Sequence, residues 1–396
     1  MSDSLSNSSI LKEEQELYKK RSDQMEYRNL GKTGLKVGVI GVGTEYLNRQ
    51  PRDTVVSVVQ KAIENGVNYI DLVFSLPEYL DNFGAALKGY REKAILACHL
   101  GSAEKNGQYR KTRNVKECNE VFLKMLSKLG IEYADIVNIH FVKTEKQYKE
   151  VISCGIMDLA HQLKQEGKAR FVGMSTHDPL TAIQAAETGT VDVIMIQVNV
   201  ANNAMPHRDE MLSVCAREGV GIVAMKPFAG GKLLQKNKTV NIAAYQTGWK
   251  SLKKKIPPVI TPVQCISYTL SQVGVCTVVP GVSSGEELDA ALAFLEATDK
   301  EKDFSGLLEN FKEYITGECV YCNHCLPCPS RIDIGQTIRL LDTAQQGVTL
   351  NIQDIYNALD AKASECVECG ACVERCPFEV DVMSKMRQAV ALFEKK

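Results

Sequence analysis

IVNIHFVKTEKQYKEVISCGIMDLAHQLKQEGKARFVGMS, residues 136–175, contains the repeating unit of this chain. It opens and closes on short apolar runs, IVNIHFV (136–142) and FVGMS (171–175), and Ile156 to Gln165 between them has apolar residues at helical spacing. The same alternation extends in both directions. VGVIGVG (37–43), YIDLV (69–73) and AILACHL (94–100) precede it, and VIMIQVN (193–199), GIVAMKP (221–227) and VCTVVPG (275–281) follow. Helix-like stretches fall between these runs: Asp53 to Glu64, Val115 to Leu129, Thr181 to Glu187, Asp209 to Arg217, Pro262 to Ser271 and Glu286 to Glu296. Eight strands separated by helices predict an α/β fold, a parallel sheet closed into a (β/α)8 TIM barrel. The strands are apolar on both faces, as barrel strands must be. A doubly wound open sheet is the alternative; Gly38, Gly41 and Gly43 at the first strand are weak evidence for a nucleotide loop.

At 396 residues the chain has room for a barrel-sized domain and an appendage. Hydrophobic residues make up 44% and charged residues 24%, which suits a soluble globular protein with a large core. The formal net charge of -1 gives no electrostatic reason to expect nucleic acid or a membrane surface as partner. No apolar run is long enough to span a bilayer, and Met1 to Ser9 lacks the apolar core of a signal peptide. The expectation is a soluble, cytoplasmic protein. Three regions are expected: a polar N-terminal extension over 1–25, with Leu11 to Arg21 as a helix; the barrel over 26–300; and a C-terminal domain over 301–396. The longest interruption, Phe228 to Thr261, holds Gly230, Gly231 and the basic run KSLKKK (250–255), a solvated face or a lid over the barrel mouth. Asp299 to Thr316 reads as a helical connection, and Ile332 to Gln346 as an amphipathic helix.

The C-terminal region is defined by cysteine spacing. Cys319, Cys322, Cys325 and Cys328 precede Pro329, and Cys366, Cys369, Cys372 and Cys376 precede Pro377. The second run, C-x2-C-x2-C-x3-C-P, has the spacing of bacterial ferredoxin [4Fe-4S] ligands, in which the fourth cysteine serves the other cluster. Cluster one is therefore assigned Cys319, Cys322, Cys325 and Cys376, and cluster two Cys366, Cys369, Cys372 and Cys328. Three thiolates from one tight turn cap three corners of a cubane, and the fourth comes from elsewhere in the chain. The alternatives are zinc, which has no use for eight thiolates in two runs of four, and disulfides, which require an oxidising compartment. The other six cysteines, Cys98, Cys118, Cys154, Cys215, Cys265 and Cys276, read as buried packing residues.

The barrel resembles the aldo-keto reductase family from about Tyr27 to Leu295. The resemblance is carried by YRNLGKTGLKVGVIGVGT (27–44), GVNYID ending at Asp71, FGAALKG (83–89), DIVNIHF (135–141), RFVGMSTH (170–177), MIQVN (195–199), AMKPFAGGKL (224–233) and VVPGVSSGEEL (278–288), in order. The cysteine-rich end looks like the subgroup with a ferredoxin-type dicluster extension. The resemblance implies a site of Asp, Tyr, Lys and His at neighbouring strand ends, where the tyrosine gives its proton to a carbonyl as nicotinamide delivers hydride. Asp71 and His140 match the first and last of these. Leu76 stands at the tyrosine position and His99 at the lysine position, so the proton donor and its activator are both replaced. Tyr79, three residues on, is a candidate substitute, and His99 with His140 is a candidate acid–base pair. The other reading keeps Asp71 and His140 as satisfied polar residues at strand ends. For a cofactor, Ser175 and Gln197 match the residues that grip the nicotinamide carboxamide, while Thr176 replaces the usual Asn, with His177 next to it. Gly281, Ser283 and Ser284 would meet an adenosine phosphate at a helix N-terminus. Glu286 and Glu287 favour NAD over NADP, or simply compensate that helix. Lys226 would meet a carboxylate or phosphate, or is a surface lysine.

The function expected from these residues is an iron–sulfur, aldo-keto-reductase-like oxidoreductase. It would couple electron transfer through two [4Fe-4S] clusters to redox chemistry on a small organic substrate, with NAD(H) or NADP(H) as a further cofactor and a ferredoxin or similar redox protein as partner. The alternative is a non-catalytic electron-transfer subunit on a degenerate barrel; a third reading keeps NAD(P)H-driven carbonyl reduction with structural clusters.

Overall fold

The computed structural model describes residues 15–234, 239–243, 251–255, 260–308, 314–315, 317, 319, 321–344 and 350–394. Eight parallel strands form its largest sheet: β1 (Val42–Gly43), β2 (Tyr69–Leu72), β3 (Ile95–Leu100), β4 (Ala134–Val142), β5 (Ala169–Thr176), β6 (Val193–Gln197), β7 (Gly221–Met225) and β8 (Val275–Val279). They pair in sequence order, and bridges Ile40↔Val278 and Gly43↔Gly281 join the first strand to the last. This closes the barrel and removes the open-sheet alternative.

Helices α1 (Arg52–Glu64), α2 (Pro77–Leu87), α3 (Val115–Leu129), α4 (Ile156–Gln165), α5 (Pro179–Glu187), α6 (Arg208–Arg217), α7 (Pro262–Leu270) and α8 (Gly285–Leu292) alternate with the strands. Local sequence sets their ends. Asn114 accepts the Glu117 N–H at the start of α3, and Gly130, with φ 68°, ends it in the left-handed region that a side chain disfavours. Thr261 and Gln264 form a capping box at α7, with Pro262 in the first turn.

Leu30, Tyr69, Ala97, Ile136, Val193 and Val223 fill the barrel interior. An antiparallel hairpin, Tyr27–Asn29 with Lys36–Gly38, lies at the start of the barrel. Its Gly31 has φ 53°, and a Cβ there would lie 2.4 Å from the Gly219 carbonyl oxygen and the Gly221 nitrogen, so only glycine fits. The sequence reading takes residues 37–43 as one strand; the structure instead divides them between this hairpin and β1.

The C-terminal region adds helices α9 (Ile334–Ala344), α10 (Leu350–Asn357) and α11 (Val382–Phe393), the first and last packed together. It lies against loops at the C-terminal ends of the strands. Gln108 exchanges hydrogen bonds with the backbone of Cys328, Lys143 donates to the Glu374 carbonyl at 2.7 Å, and Arg49 pairs with Asp333. Lys232 and Asp342, both buried, form a further ion pair at 3.1 Å. In the long interruption, Ser251–Lys255 pairs with Thr239–Ala243, which also pairs with Tyr314–Ile315. Residues 1–14, Lys250, Thr316, Glu318, Val320 and Gln346, which enter several sequence expectations, lie outside the described residues. Cys154 corrects the packing expectation: it is exposed, while the other five scattered cysteines are buried. No helix among the described residues is long and apolar enough to cross a membrane.

Candidate functional site

A cavity of about 180 Å³ lies at the C-terminal end of the barrel, the end where barrel active sites sit. Four of the chain's six histidines line it: His99, His140, His177 and His324. The first three come from the ends of β3, β4 and β5, and His324 comes from the first cysteine run, between Cys322 and Cys325.

The end of β4 is shaped by a bulge. Ile139 pairs with Met174 and Val142 with Thr176, so β4 carries one residue more than β5 over this span. The extra residue puts Phe141 at φ 42°, and the backbone groups released from the ladder find other partners. Arg113 donates to the carbonyls of His140 at 2.7 Å and Phe141 at 3.0 Å, and the Phe141 N–H donates to Ser175 Oγ at 2.8 Å. Satisfied in this way, the bulge turns His140 and Phe141 to the mouth.

Four side chains join into one chain of hydrogen bonds. His99 Nε2 lies 2.9 Å from Asp71 Oδ1, His99 Nδ1 lies 2.9 Å from His140 Nδ1, and His140 Nε2 lies 2.5 Å from the Tyr109 hydroxyl. With Asp71 as a carboxylate, each proton position follows from the one before. His99 donates from Nε2 to Asp71, so its Nδ1 accepts from His140 Nδ1–H, and His140 Nε2 accepts from Tyr109. Burial first, then the neighbouring His99 and His324, hold His140 well below the usual imidazole range, and burial raises the Tyr109 hydroxyl above its own. His140 therefore rests neutral.

Tyr109 was not found in the sequence reading. It lies on a hairpin, Ser102–Lys105 with Gln108–Lys111, whose turn is Asn106-Gly107 with both residues at positive φ. Asn-Gly between short alternating runs is the strongest local hairpin signal, and it was available in the sequence. Tyr79, the expected substitute donor, does not line the cavity. It is 3% exposed, its hydroxyl bonds to Thr44 Oγ1, and its ring packs on Phe74 and Phe83. Leu76 is the residue just before α2 and lines a neighbouring cavity.

His324 covers the pocket from the cysteine side. Its ring stacks on Phe141 at 3.8 Å with the planes 2° apart, and its Nε2 lies 3.4 Å from His177 Nε2. Cys322 lines the same cavity. Burial first, then the thiols of Cys322, Cys319, Cys376 and Cys372, raise that of Cys325, and burial raises that of Cys372, with Cys366 and Cys369 adding to it. Cys328, Cys366, Cys369 and Cys372, together with Cys325, line one small cavity walled by Ile332, Ile334, Val382 and Met386. The Tyr321 N–H points at Cys319 Sγ at 3.4 Å, and Arg375 holds the first run through the carbonyls of Cys325 and Pro327. Eight thiols in largely apolar settings have the donor chemistry that two cubanes require.

The nicotinamide positions fit only in part. Ser175 and Gly281 line the cavity, whereas Gln197, Ser283 and Ser284 do not. At the start of α8 the Ser283 N–H and hydroxyl both donate to the Glu287 carboxylate at 2.7 Å, and Ser284 Oγ accepts the Glu287 N–H. These bonds cap the N-terminus of α8. Lys226, at the end of β7 with φ 58°, lines the cavity.

Residues 35–309 match the aldo/keto reductase family, and residues 318–381 match a 4Fe-4S dicluster domain. The chain is 27% identical to L-galactose dehydrogenase of Arabidopsis thaliana over 310 residues, which cover 71% of this chain and 92% of that protein. It is 26% identical to L-glyceraldehyde 3-phosphate reductase of Escherichia coli over 230 residues, 54% of this chain and 65% of that protein. Among solved structures, the aldo-keto reductase AKR11C1 from Bacillus halodurans in its holo form superposes with a TM-score of 0.59 at 23% identity, covering 72% of this chain and 96% of that one.

Proposed function

The chain belongs to the aldo/keto reductase family and is an iron–sulfur oxidoreductase with two [4Fe-4S] clusters; on that premise we propose that it reduces a small carbonyl compound in the barrel pocket, with Tyr109 as the group that passes a proton to the carbonyl oxygen. The observation that carries this reading is the hydrogen-bonded chain Asp71–His99–His140–Tyr109, which ends on the cavity wall beside Cys322 and His324. When bound, the clusters supply electrons one at a time.

The residues handle the proton. In the resting chain Tyr109 donates inward to His140. A proton added to the chain makes His140 a donor at both nitrogens, balanced by Asp71 through His99, and Tyr109 then turns its hydroxyl to the cavity. The substrate oxygen takes the Tyr109 proton as His140 Nε2–H replaces it, so no tyrosinate forms. This removes the obstacle set by the high Tyr109 pKa. Because burial makes His140 a poor holder of a second proton, it is a strong acid when loaded. Reduction of a carbonyl to an alcohol takes two electrons, one from each reduced cluster when loaded, and two protons: Tyr109 places one on oxygen, and solvent water entering the cavity would supply the one on carbon.

The ligand sets are Cys319, Cys322, Cys325 and Cys376 for one cluster and Cys366, Cys369, Cys372 and Cys328 for the other. Cys369 is exposed and Val367 is 67% exposed, so the second set faces outward, where a ferredoxin or similar redox protein would reach it. No step is routed through a nicotinamide, and the proton chain works the same way beside one. The non-catalytic reading has no use for a four-residue proton chain opening on a cavity.

The test is anaerobic. The iron-loaded protein is titrated with NADH, NADPH and a one-electron reductant while cluster absorbance is followed, and glyceraldehyde 3-phosphate is then added as a first carbonyl probe, suggested by one relative's name. The reading expects reduction by the one-electron donor and none by either nucleotide; bleaching by NADPH at stoichiometric amounts would return hydride transfer to the pocket.

A further inference from the structure

We infer that the pocket selects a substrate bearing an anionic group, carboxylate or phosphate, held between Lys226 of the barrel and Arg339 of the cluster domain. The inference rests on the carbonyl-reduction reading above and names the class of substrate.

The two cations come from different parts of the fold and line one cavity. Both are half-buried. Among the described residues, neither has a carboxylate within 4.0 Å, and no hydrogen bond from the Lys226 ammonium or the Arg339 guanidinium is present. A partly desolvated charge without an anionic partner is unfavourable, and a ligand that supplies one relieves it.

Lys226 is also held in place deliberately. A lysine at φ 58° is strained, and such strain concentrates where a side chain must be aimed. Its carbonyl accepts from Asn199 Nδ2 at 2.9 Å and from the Ala229 N–H at 3.0 Å. Asn199 is itself locked by reciprocal bonds with Asn202 at 2.9 and 3.1 Å. Arg339, on α9, lies with its guanidinium carbon 5.4 Å from the Tyr46 ring centroid, a placement that leaves the edges of the fork free for a planar or tetrahedral anion.

The acids lining the cavity do not satisfy these cations. Asp71 accepts from His99, and Glu287 accepts from Ser283. Glu45, the third, is pushed up to about 7 by burial against the opposing pull of Lys226, so it gives up much of its charge near neutrality. A second cavity of about 340 Å³ between barrel and cluster domain shares Glu45, Tyr46, Phe74, Tyr109 and Arg339 with the first. Arg339 therefore stands where the two meet, beside Tyr109. A short oxo acid or a phosphorylated aldehyde places its carbonyl and its anion within such a span; a neutral sugar or ketone leaves the cations unmatched.

The experiment is anaerobic calorimetry on the iron-loaded full-length protein without reductant, so that binding is read apart from turnover. The probes are pyruvate, glyceraldehyde 3-phosphate and neutral glyceraldehyde; the first two separate carboxylate from phosphate. Lys226→Gln and Arg339→Gln are each expected to weaken the better anionic probe by roughly tenfold to a hundredfold, the range of a charge-assisted hydrogen bond, with neutral glyceraldehyde unchanged. Lys226→Arg and Arg339→Lys are expected to recover much of the loss, and the cluster absorbance of each variant reports that the fold is intact. Failure of both anionic probes to bind the unaltered protein, or equal losses for the neutral probe, would overturn the inference. NADH binding that falls by the same factor in both Gln variants would reassign the cations to a dinucleotide and overturn it as well. Anion binding that obeys the pattern, with no cluster reoxidation when the same probe is added to a separately reduced sample, would sink the carbonyl-reduction reading alone.

Discussion

Replacing Tyr109 with Phe removes one oxygen from the wall of the pocket and leaves its ring packing in place. The lost hydroxyl is the 2.5 Å partner of His140 Nε2, and His140 is 1% exposed. The imidazole is left with a buried acceptor and no donor, a stability loss of about 1–3 kcal/mol. The effect on chemistry is larger. Without the hydroxyl, His140 has no relay to a carbonyl oxygen, and loss of a positioned proton donor costs about 10²- to 10⁴-fold in rate. The assay is a single turnover: reduced protein is mixed with the carbonyl probe in a stopped-flow cell, and cluster absorbance is followed at saturating probe. Tyr79→Phe is the control, since Tyr79 bonds to Thr44 inside the core and does not line the cavity. It is expected to lose about 1 kcal/mol of stability with little change in rate. Tyr109→Phe turning over within threefold of the unaltered protein, while Tyr79→Phe is slow, would refute the assignment of the proton chain.

Other outcomes follow from the same geometry. Single-turnover reduction is expected to speed up as pH falls, by up to about tenfold per unit, because loading His140 is opposed by its lowered pKa; a flat profile in a stopped-flow pH series would contradict this. Glu45 moves from 4.5 to about 7, chiefly by burial, so its contribution favours the fold below about 4.5 and is lost as pH rises through 7. Glu45→Gln is therefore expected to be more stable than the unaltered protein at pH 8 by roughly 1–3 kcal/mol in urea unfolding, with the gap closing at pH 4.5. Cys376→Ser and Cys328→Ser should each lower iron content from roughly eight to roughly four per chain, with distinct signals remaining in paramagnetic resonance. Gly31→Ala places a Cβ 2.4 Å from backbone atoms of Gly219 and Gly221 at φ 53°, and is expected to destabilise the barrel by about 2–5 kcal/mol in the same unfolding assay.

The barrel was legible because its strands are apolar without interruption. The helices Val115–Leu129 and Ile156–Gln165 fall where the sequence pattern puts them, and β2, β3 and β6 to β8 differ by a residue or two at their ends. The dicluster region was legible because cysteine spacing reflects the cubane, and residues 318–381 match a 4Fe-4S dicluster domain. Asp71, His99 and His140 were singled out by position, and the structure joins them by hydrogen bonds. The rest depends on contacts between distant segments. The bulge between Ile139 and Val142 has no signature in an apolar run, yet it aims His140. Tyr79 is the sequence candidate by nearness to Leu76, but α2 begins at Pro77 and turns Tyr79 into the core. Tyr109 reaches the pocket through a hairpin whose Asn106-Gly107 turn was overlooked. His324 and Arg339 enter the pocket because the C-terminal domain covers the barrel mouth, an arrangement that neither segment states alone.

The most direct test of the coupling between clusters and pocket is the absorbance of fully reduced protein, free of nicotinamide, after a saturating carbonyl probe is added under strict exclusion of oxygen. The account predicts cluster reoxidation matched by alcohol formation at one product per two electrons withdrawn, and slowed in Tyr109→Phe. Clusters that stay reduced while alcohol accumulates only on addition of NADPH would contradict it.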